Sequence, residues 1–273
     1  MGPDEIVDLQ RYPIVELGTP SGKRLVADCR RELEAGSICL LPGFVRPCAL
    51  EALVEESTEL APRAYRTDRL RTPYSWRNND GFPADHPRRA LHPNRLGGIL
   101  GHQYQPDSLL RRLYEWRPLT EFVRRVLGFE TLYPCADPHV SFTIHVMDEG
   151  DELAWHFDTN DGVISLLLEQ PDEGGHFECA PFIRSEDDEN YAAVARLFEG
   201  DPTLRVRPSM PPGTFVLFNG RRSCHRVTPI GPTRRPRTIA IFSYDEQPGM
   251  VFAEGTSREY MEPTSEPYYG QLS

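Results

Sequence analysis

The sequence predicts an α+β protein that is mainly β, in which N-terminal helices brace an antiparallel barrel or jelly roll. Residues 1–130 carry apolar side chains at helical spacing, whereas residues 131–247 carry short β-branched runs separated by Gly, Pro and Asp. No internal repeat or Pro- and Gly-rich linker divides the chain. We therefore expect one domain over residues 1–273, with residues 248–273 as a C-terminal tail that packs across it.

Three helices are predicted in the first part of the chain. The first, from about residue 48, carries apolar residues at Leu50, Leu53, Val54 and Leu60. Ser108 can cap a second helix through Leu113, and Pro118 should interrupt it. A third helix, with Leu119, Phe122, Val123 and Val126, should stop at Gly128.

Strands are predicted after residue 131, where apolar runs of strand length alternate with turn residues. The clearest are residues 140–146, 162–168, 214–218 and 238–244. An acidic run at 185–189 leads into 191–199, where Val194 and Leu197 predict one face of a short helical insert.

Composition excludes several classes of function. The formal net charge of −11 disfavours nucleic-acid binding, which depends on neutralising phosphates. The six cysteines are scattered without paired spacing, which argues against a disulfide framework or a zinc ribbon. No apolar run is long enough to cross a bilayer and the N-terminus has no signal-peptide pattern, so we expect a cytoplasmic protein that acts on a small molecule or a protein.

A metal site is indicated by His156 and Asp158, followed much later by His225. Residues two apart on a strand point to the same face, so the first two can bind one ion together. Two imidazoles and one carboxylate form the facial triad of non-haem Fe(II) oxygenases, which leaves coordination positions open. His145 and His176 can also point into a barrel, but no neighbouring motif supports a role for them.

A cation near the metal would indicate the cosubstrate. A bidentate 2-oxoacid can supply the electrons for oxygen activation, and its distal carboxylate needs a partner such as arginine. Arg237 opens an alternating apolar run and is the best candidate to project inward, and Arg235 is the second choice.

From about Thr143 to Tyr244 the chain resembles the Fe(II)/2-oxoglutarate-dependent oxygenase family. The matching motifs, in the family's order, are Glu149-Gly150-Asp151, His156-Phe157-Asp158, Gly174-Gly175-His176-Phe177-Glu178, Pro212-Gly213, His225-Arg226-Val227 and the strand that begins at Arg237. The resemblance implies a double-stranded β-helix that uses Fe(II), 2-oxoglutarate and O2. It further implies that His156, Asp158 and His225 hold iron and that Arg237 or Arg235, with Thr143, binds 2-oxoglutarate.

A narrower similarity is to bacterial enzymes that halogenate or hydroxylate free amino acids. It rests on residues 156–168, the Gly174-Gly175 pair and the insert after Ile183-Arg184. Members of that group that chlorinate have Gly or Ala in place of the metal-binding carboxylate. Asp158 occupies this position here, so the resemblance implies hydroxylation.

Substrate recognition is expected from the irregular segment 74–80, which supplies Trp76, Arg77 and Asn79. Asn160 and Arg184 are further candidates, and either Arg77 or Arg184 can bind a substrate carboxylate. An ordinary exposed loop explains the composition of segment 74–80 equally well.

The function expected from the sequence is hydroxylation of a small polar molecule, a free amino acid or a derivative, with release of succinate and CO2. One alternative is a hydroxylase of protein side chains, for example of the prolyl type. Another is a cupin-like protein that binds a metal or ligand without catalysis. The sequence contains no signal for the oligomeric state.

Overall fold

The computed structural model describes residues 1–74, 79–159 and 163–262. The helices are α1 (Pro3–Ile6), α2 (Pro20–Gly36), α3 (Pro47–Leu60), α4 (Leu109–Tyr114), α5 (Arg117–Leu127), α6 (Tyr191–Phe198) and α7 (Glu254–Met261). The strands are β1 (Ile38–Leu41), β2 (Tyr65–Arg71), β3 (His92–Leu100), β4 (Tyr133–Pro134), β5 (Phe142–Met147), β6 (Glu152–His156), β7 (Val163–Glu169), β8 (Phe177–Ala180), β9 (Phe215–Phe218), β10 (Cys224–Val227) and β11 (Arg237–Asp245). The predicted mainly β, α+β class is confirmed.

All strands join one antiparallel sheet in the order β1-β9-β7-β11-β5-β3-β6-β10-β8, with β2 added to β3 and β4 to β11. Strand β3 connects the two parts of this sheet. Its residues Gly97–Leu100 pair with β5, whereas Asn94 and Arg95 pair with β6. The sheet curls at β3, so that β6, β10 and β8 face the inner side of the larger part across a cavity. This arrangement is a double-stranded β-helix.

Alternation along β11 shows how the larger sheet separates core from cavity. Arg237, Ile239 and Ile241 line the cavity, whereas Ala240 and Phe242 lie in the main hydrophobic core on the opposite face. Buried side chains of α2, α3, α4 and α5 complete this core. The helices therefore cover one face of the sheet and leave the other for the cavity.

The helix ends follow the expected local chemistry. The Ser108 side chain accepts a hydrogen bond from the Arg111 N–H at 3.3 Å and caps α4. Pro118 lies in the first turn of α5, where a missing N–H is harmless, and Gly128 ends this helix with a φ of 81°. The predicted insert is also confirmed, because Val194 and Leu197 are the buried residues of α6.

The first 130 residues contain more β-structure than the sequence indicated. Strands β1, β2 and β3 all lie there, and β2 and β3 form the side of the barrel that joins its two parts. Strand β2, with the sequence Tyr-Arg-Thr-Asp-Arg-Leu-Arg, is too polar to read as a half-buried strand. Strand β3 contains Pro93, Gly97 and Gly98, residues that weaken a strand prediction.

None of the helices in the part of the chain that the structure describes combines the length and the apolar character that a bilayer crossing requires.

Candidate active site

The imidazoles of His156 and His225 and the carboxylate of Asp158 meet at one end of the cavity. One donor atom from each lies within 4.8 Å of the others. His156 on β6 and His225 on β10 are paired residues of neighbouring strands, so their side chains leave the sheet on the same face. Their ring centroids lie 4.1 Å apart, and the His225 Nε2 is 3.5 Å from the Asp158 Oδ1.

Both imidazoles are oriented by backbone carbonyls. The His156 Nδ1 lies 2.9 Å from the carbonyl oxygen of Ala154, and the His225 Nδ1 lies 3.0 Å from that of Ser223. A carbonyl oxygen only accepts, so each Nδ1 carries the proton and each Nε2 presents its lone pair to the cluster. Burial, with a smaller contribution from His225, lowers the pKa of His156 well below its usual value and keeps this ring neutral. Neutral imidazoles with a carboxylate are a donor set that fits Fe(II).

Asp158 reaches the cluster from beyond the end of a strand. Strand β6 stops at His156, and the Asp158 N–H donates to the carbonyl of Gly220 at 3.1 Å. The residues on either side of His156, Trp155 and Phe157, are buried in a separate apolar cluster with Cys224. The predicted alternation therefore holds through Asp158, although a loop contact rather than strand pairing fixes its backbone.

The cavity has a volume of about 290 Å³ and extends from the cluster to Arg237. Arg237 is only 2% exposed, and within the described residues its guanidinium has no hydrogen bond or ion pair. Burial lowers its pKa to about 10, so the group stays charged at neutral pH. A buried cation that faces a cavity fits the distal carboxylate of 2-oxoglutarate. Thr143 on β5 also lines the cavity.

Two further arginines line the cavity, and no pattern in the sequence indicated them. Thr67, Arg69 and Arg71 alternate along the inward face of β2, and Arg69 is 7% exposed. Arg71 lies close enough to His156 to lower the pKa of that histidine. Finding these arginines requires knowing that β2 is a strand, because only the two-residue period distinguishes them from the exposed Arg66.

The C-terminal segment closes one wall of the cavity. Phe252, Thr256 and Tyr260 contribute to its lining. The Tyr260 ring lies over Gly98, where a Cβ atom would come within 2.6 Å of the ring, and its hydroxyl is 3.1 Å from the Nε2 of His145. Burial, together with Arg237 and Arg71, lowers the pKa of His145 to about 3, so this cavity residue is neutral. Phe252, Thr256 and Tyr260 thus pack against the barrel.

The described residues that were predicted for substrate binding, Arg184 and Asn79, lie outside the cavity lining. Arg184 donates to the carbonyl of Arg221 and to Glu189, and it stacks on Phe157 below the metal cluster. Asn79 is 1% exposed and bonds to Thr72, to the Tyr74 carbonyl and to Arg88. Neither lines the cavity. Trp76, Arg77 and Asn160 lie outside the described residues.

Arg235, the second choice for 2-oxoglutarate, lies on the surface, where its Nη2 donates to Asp172 at 3.3 Å. It does not line the cavity. Among the described cations, Arg69, Arg71 and Arg237 are the ones that do.

Solved structures share this fold at low sequence identity. AviO1 from Streptomyces viridochromogenes Tue57 has a TM-score of 0.56 and 16% identity, with 83% of this chain and 97% of that chain covered. The epimerase SnoN, in complex with Fe3+, alpha ketoglutarate and nogalamycin RO, has a TM-score of 0.55 and 13% identity, with 92% and 96% covered. EctD from S. alaskensis, with 2-oxoglutarate and 5-hydroxyectoine, has a TM-score of 0.51 and 18% identity, with 90% and 84% covered. Among curated proteins, none matches this chain significantly.

Fold and site together define an Fe(II)/2-oxoglutarate-dependent oxygenase. The profile of one family within this class, described as Halogenase D, matches residues 99–264, more than half of the 273-residue chain. The protein belongs to the halogenase D family. The resemblance to the Fe(II)/2-oxoglutarate-dependent oxygenases and the similarity to a group that includes halogenases are thereby confirmed.

Proposed function

We propose that this oxygenase hydroxylates a C–H bond of a small carboxylate-bearing molecule, an amino acid or a close derivative. The reaction consumes O2 and 2-oxoglutarate. One oxygen atom enters the substrate as a hydroxyl group and the other enters succinate, and CO2 is released. Iron(II) with 2-oxoglutarate supplies the oxidising chemistry, and the protein binds and orients the reactants and excludes water.

In this proposal His156, Asp158 and His225 are the iron ligands. Arg237 binds the distal carboxylate of 2-oxoglutarate through two parallel N–H donors, and Thr143 lies beside the same molecule. The support is that three suitable donors converge at one end of the cavity and one buried cation faces it from another part of the wall.

The observation that carries hydroxylation rather than halogenation is the carboxylate of Asp158. It lies 3.5 Å from the Nε2 of His225, within the donor cluster. A carboxylate ligand takes the coordination position that a halide would need, so a hydroxyl group is the expected product. The family is named for halogenation, so a test of the product distinguishes the two reactions directly.

The substrate class rests on the charge of the cavity wall. Arg69 and Arg71 add two cations to it, whereas Asp158 is the one carboxylate among its described residues. Such a wall favours the acid end of a substrate over an amine end. A volume of about 290 Å³ suits a molecule of amino-acid size beside 2-oxoglutarate better than a folded protein segment.

The proposal is tested by succinate formation from a panel of amino acids and their N-acyl derivatives, with anaerobic Fe(II) reconstitution and mass analysis of the product. We expect a mass gain of one oxygen atom for the true substrate. Incubation with chloride or bromide should give no halogenated product, and mainly halogenated product would contradict the role of Asp158.

A matched pair of carboxylate variants completes the test. Asp158→Ala should abolish succinate formation, whereas Asp187→Ala, at an exposed position of the acidic run, should leave it unchanged. Equal turnover in the two variants would refute the metal site and favour a protein that only binds ligands. Activity on peptides but on no free acid would favour the side-chain hydroxylase.

A further inference from the structure

The turn between β9 and β10, residues 219–223, contacts the backbone of Asp158 directly. Internal bonds hold the turn, because the Arg222 and Ser223 N–H groups both donate to the Asn219 carbonyl, at 3.2 and 3.1 Å. The Asn219 N–H donates to the carbonyl of Ser37 at 2.8 Å, which ties the turn to the start of β1. The turn is therefore a fixed surface against which Asp158 is placed.

Gly220 is the point of contact in this turn. Its carbonyl accepts the Asp158 N–H at 3.1 Å. A Cβ atom at residue 220 would lie 1.8 Å from the Asp158 Oδ2 and 2.6 Å from its Cγ. The φ of Gly220 is not in the left-handed region, so space is what requires glycine here, not backbone conformation.

Arg184 ties this turn to the segment that carries Asp158. Its Nε donates to the carbonyl of Arg221 at 2.7 Å, and its own backbone N–H donates to that of Arg222 at 3.3 Å. The same guanidinium lies 4.1 Å from the ring centroid of Phe157, the residue before Asp158. This side chain therefore contacts both the turn and the residue that precedes Asp158.

We propose that Gly220 is a positioning residue for the Asp158 carboxylate. It leaves the volume that the carboxylate occupies beside the two imidazoles and anchors its backbone. The inference rests on the proposed iron site. It adds that the position of the Asp158 carboxylate depends on glycine at residue 220, which the iron site does not itself require. Glycine at residue 220 is needed only while residue 158 carries a side chain.

The first experiment compares metal affinity in Gly220→Ala and in Gly18→Ala, an exposed position where an added Cβ meets no atom within 4 Å. Affinity is measured with Mn(II) in the presence of 2-oxoglutarate, by loss of the free-ion EPR signal. We expect at least a tenfold loss for Gly220→Ala and no change for Gly18→Ala. Unchanged affinity in Gly220→Ala would overturn the proposal.

The second experiment repeats the Gly220→Ala substitution in an Asp158→Gly background. With the whole Asp158 side chain absent, the three atoms nearest to the added methyl group are removed, so the substitution should change Mn(II) affinity less than twofold. An equal loss in both backgrounds would show a general effect on the turn and would refute the proposal. Should Gly220→Ala alone fail to fold, rescue of folding by Asp158→Gly supports the clash and lack of rescue contradicts it.

The two proposals fail in different ways. If Asp158→Gly alone leaves Mn(II) affinity unchanged, the iron site is wrong. If Asp158→Gly weakens binding and Gly220→Ala does not, the iron site stands and the positioning role is wrong.

Discussion

Arg237 is the residue whose environment distinguishes it most clearly from its neighbours in sequence. It and Arg235 are two positions apart, yet one is buried against the cavity and the other pairs with Asp172 at the surface. The two arginines that the sequence offered for 2-oxoglutarate therefore lie in different environments, and of the two only Arg237 lines the cavity.

We predict that Arg237→Met raises the KM for 2-oxoglutarate roughly a hundredfold. Two charge-assisted hydrogen bonds to a carboxylate are lost, at a net cost of about 3 kcal/mol. Steady-state succinate formation at varied 2-oxoglutarate measures the effect. Arg235→Met is the matched control and should keep the KM of the wild type; the reverse pattern would assign the cosubstrate to Arg235.

The i, i+2 spacing indicated His156 and Asp158, because the pair keeps its direction even where β6 ends before Asp158. His225 was indicated by its place in the order of the family's motifs. Spacing did not indicate Arg69 and Arg71, since their direction depends on pairing with β3, which is distant in sequence. Arg184 was expected at the substrate because a guanidinium in an insert is a common carboxylate partner. Its contacts with the Arg221 carbonyl and Phe157 are tertiary and leave no mark in the local sequence.

Among the elements, α7 contributes Thr256 and Tyr260 to the lining of the cavity. It lies against β2 and β3 and lines the cavity that β6, β10 and β8 face. Gly98 leaves the space for the Tyr260 ring, and His145 bonds its hydroxyl. Docking of α7 therefore depends on two residues of the sheet.

We predict that Tyr260→Ala increases uncoupled turnover, measured as succinate formed per hydroxylated product. Loss of the ring leaves Gly98 uncovered and admits water to the cavity, so 2-oxoglutarate is consumed without substrate oxidation. Tyr260→Phe keeps the ring and loses only the bond to His145, so it should show a smaller increase. Equal ratios in wild type and Tyr260→Ala would show that α7 does not seal the site.

Prediction of the elements succeeded where local signals were sufficient. Short stretches of sequence indicate the helix α3, the Ser108 cap, the end of α5 at Gly128 and the strands after residue 131. Prediction failed for β1, β2 and β3. Strand β1 is apolar but only four residues long, and it becomes a strand by pairing with β9. Strand β2 is polar and β3 contains glycine and proline, and they become strands through pairing of β2 with β3 and of β3 with β5 and β6. The single-domain organisation stays a prediction.

For the whole molecule, we expect stability in acid to depend on the buried ring of His92. Burial lowers the pKa of His92 to about 4, with a smaller repulsion from Arg226, and its ring packs edge-on against Phe198 at 4.6 Å. The unfolded chain binds a proton at this residue near pH 6.5, whereas the folded chain does not until about pH 4. The stability associated with neutral His92 is therefore present above pH 6.5 and is lost as pH falls between these values.

We predict that His92→Gln reduces the loss of unfolding free energy between pH 7 and pH 4.5 by about 2–3 kcal/mol. Urea unfolding at the two pH values measures it. His176→Gln, at an exposed position, controls for the substitution itself. The same pH dependence in His92→Gln and wild type would contradict the assignment.

The charge of the whole molecule contrasts with that of its cavity. The chain carries a net charge of −11, yet Arg69, Arg71 and Arg237 line the site. The anionic substrate that we propose would thus be held by short-range contacts rather than attracted by the overall charge, since screening at physiological salt confines charge effects to about 8 Å.

The double pairing of β3 has a mechanical consequence. Within the described chain, β3 is the connection between the two parts of the barrel, and β1 and β8 end the strand order on the other side. In the described strand order no ladder joins β8 to β1, so we expect β6, β10 and β8 to move relative to the larger part more readily than strands of a closed barrel would. His156 and His225 lie on the smaller part of the sheet, whereas Arg237 lies on the larger part. A small molecule that contacts both the donor cluster and Arg237 would hold the two parts of the sheet together. Cosubstrate binding should therefore slow backbone amide exchange in β8 and β10 more than in β3.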